Sequence, residues 1–276
     1  MTDRWNDVMN PTRRDATNPT RRSATNPTRR RILRSISASA VLGSAVIGTA
    51  GARMGTGEAE PNTSIETLAL EQDDACVEIT PLGGDEPVEE LYDYTYPLDT
   101  FEGQPGSDGD TFSSEGTSEL QLDHGSILFF YQGPEGLSLV IVHGKFDGSH
   151  DGGTVSFRID GLPTSGEWVV QDDYYLRSDG SEAPSNFDIW EVEQNPHIVH
   201  WAFRSGRTDG GVFRGFEDEV EFMIEPAFNE RAGLYDEYDF GAIERWEALT
   251  GSLDDPDRIE LDMDRPVRIT DGTCPE

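Results

Sequence analysis

The sequence predicts an all-β fold, a two-sheet β-sandwich or jelly roll with mostly antiparallel strands, following a disordered amino-terminal signal region. Three observations carry that prediction. From Cys76 onward the dominant hydrophobic period is two, the spacing at which successive side chains alternate across a strand. Roughly a dozen such runs occur, each short and bounded by Gly-, Asp- or Pro-rich turns. A helical signal appears only over Asn229 to Tyr235. The 276 − 75 = 201 residues after Ala75 suit one all-β domain, long enough to bury a core without a partner.

Taken in order, the chain begins with a basic head. Residues 1–52 hold nine Arg and three Asp, so subtracting their +6 from the whole-chain −33 leaves −39 for the remainder. Residues 10–30 carry a tandem octad, Asn-Pro-Thr-Arg-Arg followed by three small or polar residues, starting at Asn10, Asn18 and Asn26. A period of eight with Pro in each unit fits neither a helix nor a packed solenoid, which needs at least about 20 residues per unit. Only the last copy abuts an apolar run. There Thr28-Arg29-Arg30-Arg31-Ile32-Leu33-Arg34 precedes sixteen uncharged residues, Ser35 to Ala50, and the stretch closes on Ala50-Gly51-Ala52. This resembles a twin-arginine (Tat) export signal, with Arg29 and Arg30 as the recognised pair and cleavage after Ala52. The resemblance implies the Tat translocase as partner during export and a secreted product. Four Ser and two Gly dilute the apolar run, whereas a spanning helix needs about 20 strongly apolar residues, so no membrane association is expected after cleavage.

Residues 53–75 are Gly-, Glu- and Thr-rich without periodic apolar positions and read as a flexible acidic linker to a single β-sandwich domain, 76–276. Within the linker, Asn62-Thr63-Ser64 is an N-glycosylation triplet with Asn62 as acceptor. Cys76 and Cys274, the only cysteines, bracket the domain and read as one disulfide in an oxidising exterior. Such a bridge, closing a loop with ends 198 positions apart, would remove denatured-state entropy worth about 5 kcal/mol. It requires the first and last strands to lie side by side.

The strands follow. Val155, Phe157 and Ile159 alternate with polar neighbours, as do Val220, Phe222 and Ile224, and Ile259, Leu261 and Met263. These are half-buried strands. Ser126 to Tyr131 and Leu137 to Val142 are apolar on both faces and form a hairpin through the middle of the core. Further strands are expected over Val77 to Thr80, Thr117 to Leu122, Glu167 to Gln171, Phe187 to Val192, Ile198 to Phe203, Gly211 to Phe216, Ile243 to Leu249 and Val267 to Thr270.

Charge narrows the setting. Lys145 is the only lysine, and a domain at −39 repels itself in dilute salt, whereas at 1 M salt the screening length falls to about 3 Å. Acid excess, lysine scarcity and a Tat-type leader together resemble the exported proteins of halophilic archaea. The run from Ile79 to Tyr94, with Ser126 to Tyr131 downstream, is similar to exported haloarchaeal proteins of unknown function, a resemblance that implies no catalytic residues. Nucleic acid is excluded as a partner because its phosphates would meet like charge.

Chemistry is harder to read. Asp147-Gly148-Ser149-His150-Asp151-Gly152 places oxygens at Asp147, Ser149 and Asp151, as in the first half of a calcium loop. Position twelve would be Arg158, whose charge forbids the closing carboxylate, so a solvated hairpin turn is the competing reading. No other cofactor is indicated. His197 and His200 are three apart on a strand and face opposite ways, and there is neither a His-Glu-x-x-His helix nor a Gly-x-Ser-x-Gly elbow. Trp168, Trp190, Trp201 and Trp246 would either pack in the core or form an exposed sugar-stacking platform. The 54 − 3 = 51 acids after residue 52 supply too many carboxylate pairs for any one to stand out. The sequence therefore points to a salt-adapted, exported binding or surface-associated module with a glycan or cell-surface ligand. A secreted hydrolase acting on carbohydrate through paired carboxylates is the alternative.

Overall fold

A computed structural model of the chain describes residues 65–96, 107–108, 112–173, 187–216, 219–238 and 240–275. The octads, the signal residues Arg29 and Arg30, the cleavage point at Ala52 and the acceptor Asn62 lie outside the described residues. β1 (Leu68–Gln72) and β2 (Ala75–Ile79) form a hairpin, followed by β3 (Leu82–Gly83), the helix α1 (Val88–Tyr92) and β4 (Tyr94–Tyr96). β5 (Ser107–Asp108) and β6 (Ser113–Ser114) flank β4 in a small sheet. The hairpin of β7 (Gly125–Gly133) and β8 (Gly136–Gly144) leads to β9 (Gly152–Asp160) and β10 (Glu167–Gln171). Then come β11 (Ile189–Glu191), β12 (His197–Arg204), β13 (Thr208–Phe216) and β14 (Glu221–Phe228). β15 (Arg245–Gly251), β16 (Pro256–Leu261) and β17 (Val267–Asp271) complete the chain.

These strands build two large sheets. One runs β11-β12-β9-β14-β17-β1-β2 and is antiparallel throughout. The other runs β10-β13-β8-β7-β15-β16, with β3 also beside β7; β15 and β3 lie parallel to β7 and the remaining pairs are antiparallel. Between the sheets the period-two positions meet: Val155, Phe157 and Ile159 of β9 and Trp201 of β12 face Leu128 and Phe130 of β7, Ile141 of β8 and Trp246 of β15. Phe157 sits edge-on to Trp201 and Phe228, with ring centroids 5.5 and 5.6 Å apart. Burying each such side chain contributes about 1.5–3 kcal/mol.

The central hairpin is apolar on both faces because the outward face is covered too. Ile127, Phe129, Tyr131, Val140 and Val142 pack beneath Val88, Leu91 and Tyr92 of α1, Tyr94 of β4, and Leu120. Pro87 starts α1, and Asp93, in the left-handed region at φ 47°, ends it. This five-residue helix was not legible in a stretch where no apolar period is long enough to register.

Three expectations are corrected. The segment assigned to a flexible linker, 53–75, contains β1, whose Leu68, Ala69 and Leu70 are buried between β17 and β2; the folded unit reaches back at least to Leu68. Thr117 to Leu122 is not a strand: its backbone closes on itself in turns, Ser118 N donating to Glu115 O and Leu120 N to Thr117 O, and its buried polar side chains bond one another. The Ser114 and Thr117 hydroxyls lie 2.7 Å apart, and Gln121 Nε2 donates to Ser114 O and Thr117 Oγ1. The helical signal at Asn229 to Tyr235 yields only a 3-10 turn, Asn229–Arg231, because Asn229 turns its side chain to Ile243, accepting from its N–H and donating to its C=O. The disulfide joins Cys76 and Cys274 with Cα atoms 5.8 Å apart, tying edge strand β2 to the segment after β17, while β1 pairs with β17 between them.

Candidate functional site

The site is built where the chain crosses from one sheet to the other. β12 belongs to the first sheet and β13 to the second; β12 ends on Arg204, and Ser205, Gly206 and Arg207 form the turn that joins them. β10 ends opposite β13, so Asp172 and Asp173 leave the sheet beside Gly210, whose carbonyl accepts from Asp172 N at 3.3 Å. Asp188 enters β11 opposite β12 and accepts from Ala202 N at 3.1 Å. Asp209, two residues into β13, accepts from Gly210 N at 2.9 Å. Four carboxyls thus gather at one end of the sandwich.

Two tyrosines from the covering layer reach down to them. Tyr92 Oη donates to Asp172 Oδ2 at 2.7 Å, and Tyr94 Oη donates to Asp173 Oδ1 at 2.9 Å while accepting from Asp173 N. The approach depends on Gly210, where a Cβ would collide with the Ile141 carbonyl and come within 3.0 Å of Tyr92 Oη. Behind them, Trp201 Nε1 donates to Gly210 O at 3.0 Å.

Burial governs the chemistry of this group. Asp172 and Asp209 have no solvent exposure and Asp173 retains 7 %. Asp188 is half-buried as a residue, yet its Oδ2 is enclosed. Desolvation, the largest cause, raises Asp172, Asp188 and Asp209 well above the ordinary carboxylate range, and like charge adds to it, from Asp209 on Asp172, Asp173 on Asp188 and Asp188 on Asp209. The Asp188 and Asp209 side chains lie close enough for each to act on the other. Ionised, Asp188 Oδ2 and Asp209 Oδ2 would both be enclosed without a donor, and burial accordingly favours the protonated form of each carboxyl. Burial lifts Asp173 to about 7, restrained by the Tyr94 hydrogen bond and the Arg207 charge. Desolvation, reinforced by the carboxyls, likewise holds the Tyr92 and Tyr94 phenols protonated.

Of these groups, Asp173 reaches a cavity of about 310 Å³ that is also lined by Phe112, Phe187, Phe203, Arg204, Arg207 and Thr208. Phe203, Thr208 and Asp173 are buried and form its floor, whereas Arg204 is exposed at the rim. Each arginine lies over a phenyl ring: Arg204 is 4.9 Å from the Phe187 centroid and Arg207 is 5.0 Å from that of Phe112. Thr208 is fixed from behind, accepting from Ser114 N while its own N–H donates to Ser113 Oγ. Among the described residues the lining therefore combines three phenyl rings, two guanidinium groups and one carboxyl that burial raises to about 7.

The residues singled out from sequence lie elsewhere. Asp147, Ser149 and Asp151 occupy a turn held by His150, whose Nδ1 accepts from Gly152 N and whose Nε2 lies 2.8 Å from Lys145 O; Ser149 N donates to Asp123. Among the described residues no three His, Cys, Asp or Glu side chains are grouped to hold a metal ion. His197 and His200 point apart, to Trp168 Nε1 and to the Ser156 hydroxyl. Trp201 and Trp246 are fully buried; Trp168 and Trp190 are half-buried and bridge the sheet edges in a T-shaped pair 5.2 Å between centroids. They pack against the core and do not form an open platform.

His143 is a buried polar residue away from this cluster. Its Nδ1 lies 2.8 Å from Ser126 Oγ, and burial lowers the imidazole to about 3, so it is neutral and sealed between rings. It has no route to solvent or substrate.

No protein-family model, curated protein or solved structure matches this chain.

Proposed function

We propose that this chain is an exported, salt-adapted extracellular protein acting as a non-catalytic binding module, with the aromatic- and arginine-walled cavity as its ligand site. Export would use Arg29 and Arg30, with cleavage after Ala52, and the −39 surface suits molar salt. The single observation carrying the binding role is the lining: among the described residues, three phenyl rings and two arginines surround one carboxyl in a concavity of about 310 Å³. Small-ligand sites combine apolar walls with a few convergent polar groups in this way. Hydrolysis of carbohydrate through paired carboxylates is the second reading, and the Asp188–Asp209 contact is the observation in its favour. It ranks lower because, among the described residues, only Asp173 of the four carboxyls lines the cavity, whereas acid–base hydrolysis needs two facing the substrate.

The test is a glycan-array and cell-surface pull-down in molar KCl, run beside a panel of chromogenic glycosides and esters. Binding that Phe187→Ala weakens, without turnover, is expected. Turnover abolished by a single Asp substitution would reverse the ranking of the two readings.

A further inference from the structure

The cavity is chemically unlike the rest of the molecule. Most described arginines meet a carboxylate: Arg158, Arg214, Arg231, Arg245, Arg258, Arg265 and Arg268 all do so within salt-bridge distance. Arg204 meets none among the described residues. On a surface this rich in acid, an arginine with no ion pair among the described residues, at a cavity rim, is a recognition group in reserve. Stacking on Phe187 occupies the flat face of the guanidinium and leaves its N–H edge for a bidentate contact, the geometry that fits a carboxylate.

The floor does not oppose this. Asp172, Asp188 and Asp209 lie behind the lining and are kept neutral by burial. The groups around Asp173 are Tyr94 from β4, Tyr92 from α1, Asp172 beside it, Asp188 ahead of β11, Asp209 of β13 and Arg207 of the β12–β13 turn. Below neutral pH burial keeps the negative charge of these carboxyls low, and Arg204 and Arg207 are the cationic groups among the described lining residues. A volume near the lower limit for ligand sites admits about one ring, and phenyl walls suit a ring face.

Resting on the binding role above, we propose that the cavity takes a small ring-bearing carboxylate, gripped by Arg204, and releases it when Asp173 ionises. Release follows because a second carboxylate appears beside the bound one and competes for the same cationic wall. In molar salt the distant surface acids are screened, so contact groups decide the outcome.

The experiment is isothermal titration in molar KCl at about pH 5.5 and about pH 8.5, where simple carboxylic acids are ionised throughout. Glucuronate and benzoate are the probes, separating a sugar acid from an aromatic acid, with glucose and benzyl alcohol as neutral counterparts. At least one carboxylate is expected to bind at the lower pH, about tenfold more weakly at the higher, with its neutral counterpart silent. Arg204→Gln, an exposed change that leaves the fold alone, should cost about tenfold or more. Asp173→Asn should give the same affinity at both pH values. Equal binding of a neutral counterpart would overturn the anion proposal while leaving the cavity as a binding site. Silence of both carboxylates toward folded protein would also overturn it, with the Phe187→Ala pull-down then deciding the broader role separately. A pH dependence that survives in Asp173→Asn would remove Asp173 from the account.

Discussion

The β7–β8 hairpin meets two different environments on its two faces. Its inner face, Leu128, Phe130, Leu139 and Ile141, is matched by another sheet whose inward positions are apolar and regularly spaced. Its outer face, Ile127, Phe129, Val140 and Val142, is covered by α1, β4 and the irregular run through Leu120. A second sheet covers a sheet face with repeating geometry and few backbone groups to satisfy. Irregular chain covers it only by bringing polar backbone and side chains along, and these must find partners. The Ser114–Thr117–Gln121 network and the Tyr92–Asp172 and Tyr94–Asp173 bonds are the result. The inner layer supplies stability, while the outer layer positions the cavity.

That contrast is open to measurement. The largest effect should come from the inner layer: Phe157→Ala, which strips an aromatic ring touching Trp201, Phe228 and Trp246, is expected to cost about 3–5 kcal/mol by urea unfolding in molar KCl. Leu91→Ala on the outer layer should lie toward the low end of the roughly 2–5 kcal/mol range for leucine truncation, because irregular chain collapses into space more readily than a sheet. If Leu91→Ala proves the costlier, the division between the layers is wrong.

Next comes a pH effect confined to the site. Asp173 is raised to about 7, so the folded state holds its proton where the unfolded chain has lost it. Its contribution to stability is therefore fully present below about pH 4 and declines as pH rises toward about 7, by up to about 4 kcal/mol for a shift of some three units. Asp173→Asn should remove that slope, read as the difference between wild-type and variant unfolding free energies across the window. A flat difference would mean that Asp173 is solvated in the folded protein.

The smallest effect belongs to the outside of the first sheet. Arg268 bridges Glu71 and Glu221 in the open, and Glu221→Gln should change stability by less than about 1 kcal/mol, vanishing in molar salt. A larger, salt-insensitive loss would show that this face is not simply solvated.

Much of the inner layer was legible because strand periodicity is local. Val155, Phe157 and Ile159 announce their face within five residues, and the two-sided hairpin announces that both its faces are covered. β1 was hidden: Leu68-Ala69-Leu70 is too short to establish a period, and neighbouring acids gave it the composition of a linker. The Tyr92, Tyr94, Asp172, Asp173, Asp188 and Asp209 group was missed for a different reason. With 51 acids after residue 52, no carboxylate stands out by composition. One signal was available: counting back from inward-facing Phe213 in steps of two puts Asp209 on the inner face, an unusual place for a carboxylate.

By itself the sequence determined the all-β class, the central hairpin, most strand positions and the pairing of the only two cysteines, since each follows from short-range period or from counting. The tertiary structure alone decided which acids are buried, that Arg204 stacks on Phe187, and that a strand crossing between sheets opens a cavity above them. Those properties depend on residues brought together from distant parts of the chain, such as Tyr92 with Asp172, 80 positions apart, and Tyr94 with Asp173, 79 positions apart. Desolvation is set by everything that surrounds a group, and no local pattern in the chain encodes its surroundings.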